Sequence, residues 1–118
     1  MARINPDIAR ISLDQADRFY KIAQVQAQSH APQADREANL GRAIAGYRRA
    51  LDFYSLPRYP NEFAITQNNL GAAYGDLSEV RDKEQNLGRA IAAYTEALKV
   101  RTLAAFPVDY AMTQNNLG

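Results

Sequence analysis

An internal repeat constrains the fold of this chain more than any other feature of its sequence. Residues 36–71 read REANLGRAIAGYRRALDFYSLPRYPNEFAITQNNLG, and they align without a gap on residues 83–118, KEQNLGRAIAAYTEALKVRTLAAFPVDYAMTQNNLG, at an offset of 47. Twenty of the 36 aligned positions are identical. A fixed period of roughly 20–50 residues is typical of proteins built from stacked repeats. We therefore expect similar structural units to lie one upon another.

Each repeat unit is predicted to contain two helices. In one helix the apolar residues recur at three- and four-residue steps, which predicts a single buried stripe. This stripe comprises Leu40, Ile44, Tyr47, Leu51 and Tyr54, and it is repeated as Leu87, Ile91, Tyr94 and Leu98. The partner helix begins near Pro60, whose fixed φ suits a first helical position. Its predicted buried stripe is Phe63, Leu70, Tyr74 and Leu77, and Pro107 repeats the start. Neither helix buries its apolar face alone, so stacking should stabilise the fold.

The same signals divide the whole chain into helices and units. A first helix is predicted to start at Asn5, Pro6 and Asp7, and its apolar face is formed by Ile8, Ile11, Phe19 and Ile22. An alternative start is Ser12, with Gln15 as its capping-box partner. Asp35 and Asp82 are predicted N-caps, with Gln85 completing a capping box after Asp82. The predicted helices are 6–29, 35–56, 60–78, 82–104, and one from Pro107 to the end. The units are 1–34 (a degenerate end unit), 35–81 and 82–118, the last stopping partway through a repeat.

Composition points away from several classes of partner. Fourteen basic and thirteen acidic residues give a net charge of +1, so no overall field favours nucleic acid or an anionic membrane. There is no cysteine for disulfides, thiol catalysis or zinc binding. The first thirty residues contain no continuous apolar run, so neither a signal peptide nor a spanning helix is expected. We predict a cytoplasmic protein.

The reactive side chains form no pattern that predicts chemistry. His30 is the only histidine and is expected in an exposed connection, and no phosphate loop or catalytic carboxylate pair is found. We therefore predict no enzyme activity, no cofactor and no metal. Gly41, Gly71 and Gly88 are mid-helix, where close approach of another helix would explain them. Arg42 and Arg89 recur at one repeat position, where surface pairing with Glu or Asp is expected and partner recognition is the alternative.

Two stretches of the repeat match a known family. The segment NLGAAYGDL followed by AIAAYTEAL resembles the tetratricopeptide repeat, with Leu70, Gly71 and Tyr74 at its first-helix positions. The second-helix positions are Ala43, Tyr47, Ala50 and Leu51, repeated as Ala90, Tyr94, Ala97 and Leu98. The longer period is similar to that of kinesin light chains and many bacterial arrays. The resemblance implies an all-α, right-handed solenoid of about two and a half repeats, whose first helices line a concave face that holds partner proteins.

Paired asparagines are the most specific polar feature of the repeat. Asn68 and Asn69 recur as Asn115 and Asn116. A carboxamide both donates and accepts hydrogen bonds, so a row of asparagines could pair with the main chain of an extended peptide. The alternative, especially for Asn68, is that the asparagines form hydrogen bonds between neighbouring helices. With the phase implied by the resemblance, the predicted peptide-binding residues are Tyr20, Lys21, Gln24, Ile65, Asn68, Asn69, Ala72, Asp76, Met112, Asn115 and Asn116, with Asp17 beside them. Of the positions that form a carboxylate clamp in related arrays, only Asn69 agrees, which argues against such a clamp.

Three functions are therefore considered at this point. The first is a non-catalytic module that binds a protein or peptide partner on its concave face. The second is a structural fragment that oligomerises or swaps domains through its open C-terminal helix. The third is a scaffold or sensor segment of a larger bacterial signalling protein. Neither nucleic acid nor a membrane is an expected partner.

Overall fold

The chain folds into four helices joined by short connections. The computed structural model describes residues 5–55 and 58–100, and within them it contains no strand. The helices are α1 (Pro6–Ala27), α2 (Gln33–Leu51), α3 (Pro60–Leu77) and α4 (Lys83–Leu98). An all-helical fold with the predicted first four helices is thus confirmed. The predicted fifth helix from Pro107 lies outside the described residues.

The helix ends differ from the predictions in ways that local chemistry explains. Asn5 caps α1 as expected, because its Oδ1 accepts a hydrogen bond from the Ile8 amide at 2.9 Å. The cap predicted at Asp35 is wrong: α2 already begins at Gln33 after Pro32, and Asp35 lies in its first turn. Asp82 does precede α4, but its backbone is left-handed (φ 44°) and its side chain makes no cap. Its carboxylate binds the Arg81 guanidinium instead, at 3.2 Å.

Neighbouring helices pack side by side, and contacts inside each pair show that the pair is antiparallel. In the first pair, Gln26 near the end of α1 meets Asn39 near the start of α2, whereas Asp17 meets Tyr47. In the second pair, Gly71 of α3 lies against the ring of Tyr94 of α4. Helix α2 also packs against α3, so α3 lies between α2 and α4. The core is shared by all four helices and centres on Tyr47, Leu70, Tyr74 and Tyr94.

Helix α1 buries a different face from the one predicted. Ile11 and Ile22 remain 52% and 47% exposed, and the buried side is formed by small residues: Ala9, Ser12, Ala16 and Ala23. Ser12 and Ala16 face Gly46 of α2, where an added Cβ would lie only 2.8 Å from the Ala16 Cβ. The two backbones therefore approach closely, and the large isoleucines are left on the outside.

The buried stripe predicted for α4 is also only partly correct. Tyr94 is buried, but Leu87 and Ile91 are 39% and 53% exposed. Their counterparts Leu40 and Ile44 are buried, since α2 packs against α1 on one side and α3 on the other. Among the described residues no helix follows α4 to cover it in the same way.

Contacts at the helix ends join the two antiparallel pairs. The Arg36 guanidinium binds Glu79 at 2.7 Å, and that of Arg81 binds Glu37 at 2.8 Å. The Gln33 amide donates to the Val80 carbonyl at 3.3 Å. After α2, the rings of Phe53, Tyr54 and Tyr59 pack with centroids 4.9–5.8 Å apart, so Tyr54 belongs to this aromatic cluster and not to the α2 stripe.

Candidate functional site

Polar side chains of α1 and α3 meet on one side of the protein. Asp17, Tyr20, Lys21 and Gln24 lie on one side of α1, since positions three and four apart share a helix face. Ile65, Asn69, Ala72 and Asp76 lie on one side of α3 for the same reason. Hydrogen bonds between the two sets show that these sides are neighbours. We call this surface the α1–α3 face and define it by those eight residues.

Asp17 is held in place from two directions. The buried Tyr47 hydroxyl donates a hydrogen bond to Asp17 Oδ1 at 2.6 Å, and Asn69 Nδ2 reaches the same oxygen at 3.4 Å. The burial of Tyr47, and then its hydrogen bond to this carboxylate, raise the tyrosine pKa well above its ordinary value. Asp17 itself remains exposed. Its carboxylate is therefore oriented by the protein and still accessible from outside.

A second tyrosine–carboxylate pair lies beside the first. Burial, the charge of Asp76 and a hydrogen bond to Asp76 raise the pKa of Tyr20 above its ordinary value. Burial also raises the pKa of Asp76, against the opposing effect of the Tyr20 hydrogen bond. Burial and then the Asp76 charge raise the pKa of Tyr94 to about 12. All three tyrosines therefore stay protonated at neutral pH, and Tyr47 and Tyr20 donate hydrogen bonds to Asp17 and Asp76.

The remaining predicted residues divide into two groups. Lys21, Gln24 and Ile65 are exposed, Ala72 is half-buried, and Asn68 is half-buried one position before Asn69. Met112, Asn115 and Asn116 lie outside the described residues. The structure thus brings together the predicted residues of α1 and α3, whereas the residues predicted to extend the site toward the end of the chain are not described.

Sequence reasoning missed the part that Tyr47 plays in this site. Its place in the apolar stripe of α2 predicted only a core residue, and its ring is indeed fully buried. A buried tyrosine hydroxyl nevertheless needs a partner, and Asp17 provides it. That general requirement was the one signal in the sequence that could have linked the core to the α1–α3 face.

The recurring arginines do not make the pairs predicted for them. Arg42 donates to Asn39 Oδ1 at 3.0 Å and lies over the Phe19 ring, 5.8 Å from its centroid. Arg89 repeats both contacts, with Asn86 Oδ1 at 3.3 Å and the Tyr74 ring at 5.9 Å. Neither guanidinium forms an ion pair with a carboxylate of residues 5–55 or 58–100. Cation–π contact with a neighbouring helix replaces the predicted surface pairing.

Other candidate sites give simpler results. His30 is exposed after the end of α1, as predicted. Within the described ranges, no group of three or more His, Cys, Asp or Glu side chains is arranged to hold a metal ion. In the same part of the chain, no helix combines the length and apolarity needed to cross a bilayer.

Comparison with known proteins adds no relative. No family model, curated protein or solved structure matches the chain. The similarity to tetratricopeptide repeats therefore depends on the residues quoted for it and on the paired helices described above. The function has to be argued from the side chains of the chain itself.

Proposed function

We propose that this protein is a non-catalytic interaction module that binds an extended, basic segment of a partner protein on its α1–α3 face. The main observation in favour is the oriented carboxylate of Asp17, which Tyr47 and Asn69 hold while it stays exposed. An extended segment laid across α1 and α3 would find donors and acceptors from both helices. In the tetratricopeptide reading, this is the concave face of a right-handed solenoid.

This face carries the two carboxylates of Asp17 and Asp76 against one ammonium group, that of Lys21, and the balance favours a basic segment. Neither Asp17 nor Asp76 forms an ion pair among residues 5–55 and 58–100. Burial already disfavours the ionised form of Asp76, so a Lys or Arg from the partner would offset part of that cost. Gln24 and Asn69 supply carboxamides that can pair with a peptide main chain. Exposed Ile65 offers an apolar contact beside them.

Selection from a random peptide display library tests this proposal. We expect the peptides bound by the wild-type protein to be enriched in Lys and Arg. The double variant Asp17→Asn, Asp76→Asn should lose that enrichment, because it removes both charges and preserves size. Asp35→Asn, on an exposed position of α2 outside this face, is the matched control and should keep it. Selected peptides without basic residues, or peptides that bind the double variant equally well, would refute the proposal.

A second candidate function, self-association, is supported by the exposed Leu87 and Ile91 of α4. The equivalent Leu40 and Ile44 of α2 are buried, and α2 packs against a helix on each side. The same apolar positions are thus buried by neighbouring helices in one repeat and exposed in the other. We propose that a second copy covers Leu87 and Ile91. Light scattering over a range of concentrations tests this: the mass should increase with concentration for the wild type and stay constant for Ile91→Glu. A constant mass for the wild type would refute it.

A further inference from the structure

A groove separate from the α1–α3 face runs between α2 and α4. Its volume is about 590 Å³, and Gly41, Ile44 and Arg48 of α2 line one side. Tyr74 and Leu77 near the end of α3 contribute apolar surface, and Arg89 of α4 lines the other side. The α2 residues that line it extend from Ala34 to Arg48, which corresponds to roughly 20 Å along the helix at ~1.5 Å per residue. The groove is long enough for a short segment of polypeptide.

The arginines that line this groove differ in their partners. At one end the Arg81 guanidinium is neutralised by Glu37 at 2.8 Å and by Asp82 at 3.2 Å. Arg48 forms no ion pair with any described residue, and Arg89 donates to the neutral amide oxygen of Asn86. Two of the three arginines in the lining are therefore without a carboxylate partner among the described residues.

The Arg89 side chain is also oriented before any ligand arrives. Its guanidinium lies over the Tyr74 ring, 5.9 Å from the centroid, while its contact with Asn86 fixes one edge. An arginine held in this way loses less side-chain entropy when a carboxylate binds its free edge. Arg89 is otherwise exposed, so its free edge is accessible to a carboxylate, and a hydrogen bond between two charged groups is stronger than one between neutral groups.

Gly41 is the second observation that indicates a ligand. Glycine in the interior of a helix costs roughly 0.5–1 kcal/mol relative to alanine, so it normally has a packing reason. The prediction that another helix packs closely holds at Gly71, which lies against the Tyr94 ring, but it is wrong at Gly41 and Gly88, where an added Cβ would meet no described atom within 4 Å. Gly41 lines the groove, where the missing side chain lets a ligand approach the α2 backbone.

We propose that the groove between α2 and α4 binds an acidic segment of a partner protein. The carboxylates of the segment bind Arg48 and Arg89, its main chain passes over Gly41, and one of its apolar side chains contacts Tyr74 and Leu77. A protein segment suits this lining better than a nucleic acid does, because the carboxylates of Glu37 and Asp82 in the same lining would repel a continuous row of phosphates. This site is independent of the α1–α3 face.

Fluorescence anisotropy with a labelled synthetic peptide of Glu, Leu and Gly tests the site in the full chain. The control peptide carries Lys in place of every Glu and should not bind this groove. We expect Arg48→Gln and Arg89→Gln each to weaken binding of the acidic peptide by about tenfold, the size expected for a hydrogen bond to a charged group. Arg49→Gln is the matched control, since Arg49 is exposed on the same helix and does not line the groove.

Substitutions at Gly41 test the geometry separately from the charge. Gly41→Phe should fill the groove and abolish binding, and Gly41→Ala, which adds only a methyl group between the segment and the α2 backbone, should weaken it to a smaller extent; circular dichroism establishes that both variants are folded. The proposal is overturned if the acidic peptide does not bind, if Arg49→Gln weakens it as much as Arg48→Gln, or if Gly41→Phe binds normally while folded. It is also overturned if a single-stranded oligonucleotide displaces the peptide at lower concentration. Asp17→Asn should leave this binding unchanged, so the two proposed sites can fail independently.

Discussion

The same substitution should have opposite effects at two glycines of α2. At Gly46 an added Cβ would lie 2.8 Å from the Ala16 Cβ, 3.0 Å from the Ser12 carbonyl oxygen and 3.4 Å from the Ala16 Cα. Carbon atoms pack without repulsion at about 3.5 Å or more. Two of these three atoms belong to the α1 backbone, so no side-chain rotation relieves the overlap. At Gly41 the added Cβ would meet no described atom within 4 Å.

The expected magnitudes follow from these distances. Replacing a helical glycine by alanine gains roughly 0.5–1 kcal/mol from reduced backbone entropy of the unfolded chain. Overpacking a tight interface costs about 1–3 kcal/mol. Gly41→Ala should therefore raise the free energy of unfolding by about 0.5–1 kcal/mol, and Gly46→Ala should lower it by about 1–2 kcal/mol. The two variants should differ by about 1.5–3 kcal/mol.

Urea denaturation followed by far-ultraviolet circular dichroism measures this difference. The m-value should be the same for all variants, because the surface exposed on unfolding hardly changes. Ala16→Gly removes the closest contacting atom, so it should recover part of the loss in the Gly46→Ala background. An increase in stability for Gly46→Ala, comparable to that of Gly41→Ala, would refute the close contact between α1 and α2.

Three further predictions concern polar side chains. The free energy of unfolding should fall as the pH rises above 10, because tyrosines ionise there in the unfolded chain, whereas the pKa values of Tyr20 and Tyr47 are raised in the folded protein. Tyr47→Phe should make this fall less steep by up to ~1.4 kcal/mol per pH unit, measured by urea denaturation at alkaline pH. Asp76→Asn should stabilise the protein by about 0.5 kcal/mol at pH 7, because it removes a carboxylate whose ionised form is disfavoured by burial. Near pH 3 the Asp76 carboxyl is already protonated, so the variant should have no effect there; urea denaturation at both pH values measures this. Arg36→Gln should lower stability by about 1 kcal/mol in dilute buffer and by less in high salt, measured by thermal denaturation, because it removes the contact with Glu79.

The helices themselves were predictable because their signals are local. Asn5 before Pro6 and the start at Pro60 mark helix beginnings through the backbone alone, and both starts are where the sequence placed them. The alternation of helices also followed from spacing within each segment. Such features depend on residues a few positions apart, which a single sequence displays directly.

The buried faces were harder to predict because they depend on the distance between helices. A count of large apolar residues favoured Ile11 and Ile22 of α1, but the helix turns Ala16 toward Gly46. Small residues allow a closer approach than isoleucines, and that gain becomes visible only when both helices are present. Similarly, nothing in the order of residues placed the ring of Phe19 under Arg42.

The candidate site was predictable where it depends on positions within one helix, and it was missed where it depends on contacts between helices. The helical phase of Asn69 and Asp76 placed them on one side of α3, and the structure places them together with residues of α1. The hydrogen bond from Tyr47 to Asp17 joins positions 30 residues apart and has no local signature. The groove between α2 and α4 was missed because Arg48 and Arg89 come from different units and line the same groove only through packing.

The ionic contacts between the two helical hairpins have a mechanical consequence. Within each hairpin, apolar and small side chains hold the helices together, and dissolved ions hardly affect such contacts. Between the hairpins, Arg36 with Glu79 and Arg81 with Glu37 bridge one rim of the junction, where ions weaken attraction. Rising ionic strength should therefore make the junction more compliant while each hairpin keeps its stiffness. We expect the angle between the hairpins to vary with ionic strength, within the range that their shared apolar core allows.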